Sequence, residues 1–118
     1  MDSSTKSGNI WEIIAIKYLL NEWYRIIETN FKIKWWEIDI VSEFGNNIIF
    51  FEVKYRRNDL YWTPEEALNK TKRKNILRTI KYYMMKNKIR EDMVRFEFIG
   101  ITETNWEVKL NHFKDIEL

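Results

Sequence analysis

Two strand-like runs, Trp35–Glu43 and Asn47–Arg56, meet at Phe44-Gly45-Asn46-Asn47. β-branched and aromatic residues fill both runs, and a Gly-Asn pair between them is a hairpin-turn signal. If Gly45-Asn46 is a two-residue turn, paired residues sum to 91, which sets Asp39 across from Glu52 and Glu37 across from Lys54. A four-residue turn with the same centre gives the same pairing; a loop of odd length does not. Side chains two apart on a strand leave on one face, so Glu37 goes with Asp39 and Glu52 with Lys54.

Two carboxylates facing each other across neighbouring strands repel. Ile38, Ile40, Phe50, Phe51 and Val53 surround them, and desolvation there strengthens the repulsion. Two readings account for the pattern. In one, the acids hold a hard cation and the lysine positions or polarises an attacking water, as a metal-dependent phosphodiesterase requires. In the other, the hairpin lies at a sheet edge with solvated acids and a Glu37–Lys54 cross-strand pair.

The frame around the hairpin is small. A chain of 118 residues with 45% apolar content supports one domain, residues 1–118, with a core that needs no staples. Residues 1–8 read as a flexible N-terminal tail. The absence of Cys excludes disulfides and thiolate zinc sites, and a lone His112 excludes a multi-His metal site within one chain. No apolar run approaches the ~20 residues of a membrane span. Met1–Gly8 is polar and lacks the apolar stretch of a secretory signal, so a cytoplasmic location is the expectation. Net charge is only +2, yet Ala67–Arg90 holds nine Lys/Arg and no Asp/Glu, leaving −7 for the rest. One cationic surface on an acidic body is a plausible nucleic-acid footprint.

Local signals place the other elements. Ser7 or Asn9 is a candidate cap for a helix from about Ile10 to Trp23 that is apolar nearly all round and therefore expected to be buried. A strand near Tyr24–Phe31 precedes the hairpin. Thr63-Pro64-Glu65-Glu66 reads as a capped start of a second helix reaching about Met85 or Asn87. A strand over Met93–Ile101 and a short strand or turn near Trp106–Leu110 finish the chain. The order αβββαβ predicts an α/β fold, a mixed sheet flanked by helices.

Glu12 shares a helical face with Ala15, Ile16, Leu19 and Trp23. An acid on that face either joins the hairpin acids or complements the helix dipole. On the second helix, Lys70, Lys74, Arg78 and Lys81 form a row that would track a phosphate backbone or simply face solvent. Lys72 lies on the inward edge near the helix start, and Arg56 and Arg57 add charge beside Lys54. Trp35, Trp36, Tyr55, Tyr61 and Trp62 flank these positions, as base-stacking platforms or as core and interface residues.

Several of these residues together resemble the small bacterial YraN-type family, grouped with restriction-endonuclease-like and Holliday-junction-resolvase-like nucleases. The matching residues are Gly8, Glu12, Ala15, Asn30, Glu37-Ile38-Asp39, Phe51-Glu52-Val53-Lys54 with Tyr55-Arg56-Arg57, then Ala67, Lys72 and the strand ending at Ile101. Trp36 stands where the family often has Gly, and Ile38 precedes Asp39 where the motif's name has Pro. The resemblance implies the restriction-endonuclease-like αβββαβ core and a P-D…(D/E)-x-K active site. Catalytic residues would be Glu12, Asp39, Glu52 and Lys54. Asp39 and Glu52 would be metal ligands, with the Val53 carbonyl and Glu12 as further donors. Lys72 matches a family lysine.

The resulting expectation is a Mg²⁺- or Mn²⁺-dependent DNA endonuclease acting on branched or flapped DNA in repair or recombination. Arg56, Arg57, Lys70, Lys72, Arg73, Lys74, Arg78 and Lys81 would hold the DNA, and two incisions would call for a homodimer. The rivals are a DNA-binding or scaffold protein that keeps the fold without turnover, and a phosphodiesterase acting on something other than nucleic acid.

Overall fold

The computed structural model describes residues 3–58, 60–105 and 107–118, with side chains from residue 10 onward. Helix α1 spans Ser3–Asn21. Strands β1 (Arg25–Lys32), β2 (Glu37–Phe44) and β3 (Asn47–Arg56) follow. Helices α2 (Pro64–Ala67) and α3 (Lys70–Asn87) lead through a 3-10 turn, Glu91–Met93, to β4 (Val94–Thr104) and β5 (Glu107–Phe113). The five strands form one mixed sheet in the order β1-β2-β3-β4-β5. All neighbours are antiparallel except β3 and β4, which run parallel and are therefore joined by the helical crossover. This α/β architecture, a mixed sheet flanked by helices, is compatible with a nuclease-like core.

The β2–β3 register follows the even-turn expectation, with Ile40 paired to Phe51 and Phe44 to Asn47 around Gly45-Asn46. Gly45 has φ +62, the left-handed conformation such a tight turn requires. Alternation splits the core into two layers. Phe50, Phe96 and Phe98 pack with Ile76, Ile80 and Tyr83 of α3. Ile49, Phe51, Ile99 and Ile101 pack with Ala15 and Leu19 of α1.

The helices depart from expectation in three ways. α1 begins at Ser3, so it takes in residues read as a tail, and Ser7 and Asn9 fall inside it. Met1, Asp2, Trp106 and the side chains of Ser7 and Asn9 lie outside the described residues. α1 also buries only one face: Ala15 and Leu19 are sealed, whereas Ile10, Ile13 and Leu20 are about half exposed. A single helix on one face of a sheet has one side to bury, however apolar the rest of it is.

The third departure is a break between Ala67 and Lys70. Thr63 caps α2, its hydroxyl accepting from the Glu66 N–H at 3.2 Å. Leu68 then leaves the helical region, and the Asn69 side chain starts α3 by accepting from the Lys72 N–H at 2.8 Å. Asparagine competes well for backbone N–H groups, and Leu68 gains full burial in the kink.

Candidate functional site

The β2–β3 ladder stops at Ile40↔Phe51, and the chemistry collects where the strands part. There the Asp39 carboxylate enters the gap and its Oδ2 accepts from the Val53 N–H at 2.7 Å. Burial and the adjacent Glu52 hold the Asp39 carboxyl well above the ordinary carboxylate range, against the opposing pull of that N–H. Glu52 is only 4% exposed. Burial pushes its carboxyl up too, opposed by a hydrogen bond with Asp39 and by the positive charges of Lys54 and Lys72. The Lys54 ammonium stands 3.7 Å from Glu52 Oε2.

A second group of acids meets Asp39 from the other elements. Glu12 of α1, Glu37 of β2 and Asp39 each bring a carboxylate oxygen within 4.8 Å of the other two, a cluster able to hold a metal ion. Asn30 of β1 ties two of them. Its Nδ2 donates to Glu12 Oε1 at 2.9 Å and to Glu37 Oε1 at 2.8 Å. Carboxylates only accept, so the amide nitrogen must face them. Asn30 reaches this place through a left-handed backbone, φ 53, which asparagine tolerates better than most residues. Burial, with Asp39 and Glu37 nearby, raises the Glu12 carboxyl against the lowering effect of Asn30.

The geometry thus brings together Glu12, Asp39, Glu52 and Lys54, with Lys72 on the Glu52 side. Val53 contributes its N–H to Asp39. Glu37 joins the acids as a member of the cluster rather than as a partner of Lys54. The sequence marks Asn30 only as a position matching the family resemblance and gives it no role; its bridging of Glu12 and Glu37 comes from the structure, and an asparagine inside a run of strand formers was the further signal available.

The basic residues separate into two sets. Lys70, Lys74, Arg78 and Lys81 line the exposed side of α3, and Arg57 is exposed. Arg56 and Arg73, expected at the DNA surface, are engaged within the protein. The Arg56 guanidinium lies 3.7 Å above the Trp62 ring and pairs with Glu66 at 2.5 Å. Arg73 donates to the Leu68 carbonyl at 3.0 Å and to the Glu117 carbonyl at 2.6 Å, tying α3 to the C-terminal segment. The aromatics divide similarly. Tyr55 stacks on Trp11 at 3.8 Å, and Trp62 packs against Gly100, where an added Cβ would come within 2.6 Å of the Trp62 Cβ. Trp35 and Tyr61 remain exposed.

Every donor in the acid cluster is a carboxylate oxygen, the set that suits a hard divalent cation and not a soft one. Mutual repulsion among partly desolvated acids creates the demand a cation satisfies. Among the described residues, no helix is long and apolar enough to cross a membrane.

Comparison with known proteins gives a consistent picture. The model of the family described as "Uncharacterised protein family UPF0102", the YraN family, matches residues 11–101. A UPF0102 protein of Alkaliphilus oremlandii is 37% identical over 112 residues, covering 93% of this chain and 96% of the relative. One from Carboxydothermus hydrogenoformans is 33% identical over 92% of each chain. One from Thermodesulfovibrio yellowstonii is 39% identical over 90% of this chain and 94% of its own length.

Proposed function

We propose that this chain, which belongs to the uncharacterised protein family UPF0102, is a cytoplasmic, metal-dependent DNA endonuclease that hydrolyses phosphodiester bonds, branched DNA included. The observation that carries the reading is the convergence on Asp39: Glu52 and Val53 of β3 on one side, Glu12 and Glu37 on the other, with Lys54 at 3.7 Å from Glu52. Asp39 with Glu12, Glu37 and Glu52 would hold Mg²⁺ or Mn²⁺, and the Val53 carbonyl offers one more oxygen. Such a cation supplies charge neutralisation at the phosphate and acidity to a coordinated water.

The chain's own residues do the rest. Lys54 is held beside Glu52, where its ammonium stabilises negative charge developing on the attacking oxygen or the phosphate. Asn30 keeps Glu12 and Glu37 aimed at Asp39, so the acids need no rearrangement. Lys72 stands behind Glu52, and the exposed lysines and arginine of α3 supply the cationic track that a DNA backbone follows. Cutting both strands of a branch requires two sites, and the apolar outer face of α1 (Ile10, Ile13, Leu20) supports pairing with a second copy.

The test is a Mg²⁺ and Mn²⁺ titration with labelled four-way junction, flap, single-stranded and duplex DNA, beside a Glu52→Ala protein. Metal-dependent cutting that disappears in the variant is the expected result. Cutting that survives the variant, or no cutting of any substrate while DNA still binds, would replace this reading with the non-catalytic binding protein.

A further inference from the structure

The exposed side of α3 presents Lys70, Lys74, Arg78, Tyr82 and Lys86 at successive i+4 positions. Beside its second half lies the β1–β2 connection, and between them opens a cleft of about 380 Å³. Four cations line it: Lys32, Lys34, Arg78 and Lys86. No carboxylate lines it, and none of the four has a salt-bridge partner among the described residues.

Its remaining walls are largely aromatic. The Trp35 indole is 58% exposed, with the Arg78 guanidinium 5.1 Å and the Lys34 ammonium 6.0 Å from its ring centre. Tyr82, also exposed, stacks on Phe31 at 6.3 Å. Rings with cations over or beside them, Arg78 and Lys34 at Trp35 and Lys86 at Phe31, match a repeating ligand of flat bases and anionic phosphates. An acidic peptide would satisfy the cations but leave the rings without flat partners.

The cleft and the acid site share neighbouring positions of the chain. Trp35 stands two residues before Glu37, and Lys32 pairs with Glu37 across the β1–β2 ladder. From Lys72, beside Glu52, to Arg78 is a run of about 9 Å along the helix axis at ~1.5 Å per residue. A strand leaving the acids along α3 and passing about a third of a turn around it would meet the cleft within a few nucleotides.

We propose that this cleft binds an unpaired nucleotide of a DNA strand, its base stacked on Trp35 and its flanking phosphates on Lys34, Arg78 and Lys86. Substrates with single-stranded character next to the cut, such as flaps and opened junctions, are then favoured over plain duplex. That preference rests on the nuclease reading; the binding itself does not.

The experiment measures binding of a short fluorescein-labelled oligothymidylate, and of a blunt duplex of the same length, to the full chain in EDTA. Trp35→Ala is expected to weaken oligothymidylate binding roughly tenfold, with duplex affinity held within about twofold. Trp35→Phe retains most of the affinity, and Arg78→Glu weakens the single strand with a shallower salt dependence. Circular dichroism confirms that each variant is folded, as an exposed position predicts. Unchanged oligothymidylate affinity in folded Trp35→Ala, or equal losses on both DNAs, overturns the proposal. Readout in EDTA separates the two readings. Trp35-dependent binding without metal-dependent cutting sinks the nuclease alone; cutting with binding indifferent to Trp35 sinks the cleft alone.

Discussion

The Val53 N–H donates to Asp39 Oδ2 at 2.7 Å, just beyond the last ladder pair of β2 and β3. A side chain thus takes the place of the neighbouring strand's carbonyl. The bond anchors one carboxylate oxygen and leaves the Asp39 group between Glu52 on one side and Glu12 with Glu37 on the other.

Under the proposed nuclease reading, removing that charge should separate catalysis from binding. Asp39→Asn keeps an acceptor for Val53 and relieves the repulsion. We expect metal-dependent cutting to fall by at least about 100-fold while DNA affinity stays at or above wild type. Lys54→Ala should lose a similar factor, about 10²-fold or more. In EDTA, Asp39→Asn should melt no lower than wild type and up to a few degrees higher, corresponding to about 1 kcal/mol. Gel-based cleavage, fluorescence anisotropy and a thermal melt check these outcomes.

Stability should respond to pH with the opposite sign from that of an ordinary salt-bridged acid. The Glu12, Asp39 and Glu52 carboxyls are all raised in the folded protein above their usual values of 4.5, 3.8 and 4.5. The folded state therefore binds more protons than the unfolded state between the unfolded and folded values. Their contribution is fully present below about pH 4 and is lost as pH rises through the folded pKa values. In EDTA, the wild-type melting temperature minus that of Asp39→Asn should fall from pH 4 upward. Added Mg²⁺ or Mn²⁺ should restore it most at neutral pH. A difference that rises with pH in EDTA would contradict the arrangement.

Asn30 offers a sharper test of organisation. Asn30→Gly keeps the left-handed backbone easy while deleting both amide hydrogen bonds. Metal affinity should drop by about 10–100-fold, the usual effect of losing a residue that orients ligands, with the fold retained. Isothermal titration with Mn²⁺ reads this directly. Asn30→Ala adds backbone strain and should also lower the melting temperature.

Away from the acid cluster, Glu97 and His112 form an enclosed pair with a structural role. His112 Nε2 lies 2.7 Å from Glu97 Oε1, Tyr24 donates to the same oxygen at 3.1 Å, and both members of the pair are almost wholly enclosed. His112→Leu strips a buried carboxylate of a hydrogen-bond partner and should cost roughly 1–3 kcal/mol in urea unfolding, with the Mg²⁺ dependence of cutting unchanged.

The proposed pairing of two copies through the exposed Ile10, Ile13 and Leu20 of α1 can be tested directly. Sedimentation should show a dimer that Leu20→Glu converts to monomer. Coordinated cutting of both arms of a junction should then be lost, while nicking of a flap persists.

Much of this site was legible along the chain. Strand periodicity and an even turn were enough to place Asp39 beside Glu52, because neither depends on anything beyond the hairpin. The Thr63 cap and the inward edge of Lys72 were equally local. Asn30 was legible as a position of the family pattern but its role was not, since that role requires the left-handed backbone inside β1 that turns its amide toward an acid from α1. Nor was the fate of Arg56 and Arg73. A guanidinium looks alike in sequence whether it faces DNA or is held by Glu66 and by the Glu117 carbonyl.

The residue order alone therefore determined the strand pairing and the pairing-dependent meeting of two acids and a lysine, through backbone geometry and alternation. Packing decided which face of α1 is covered, where the crossover helix breaks, and which cations stay exposed. Those outcomes depend on how much surface each distant element has left to bury, and no local pattern encodes that sum.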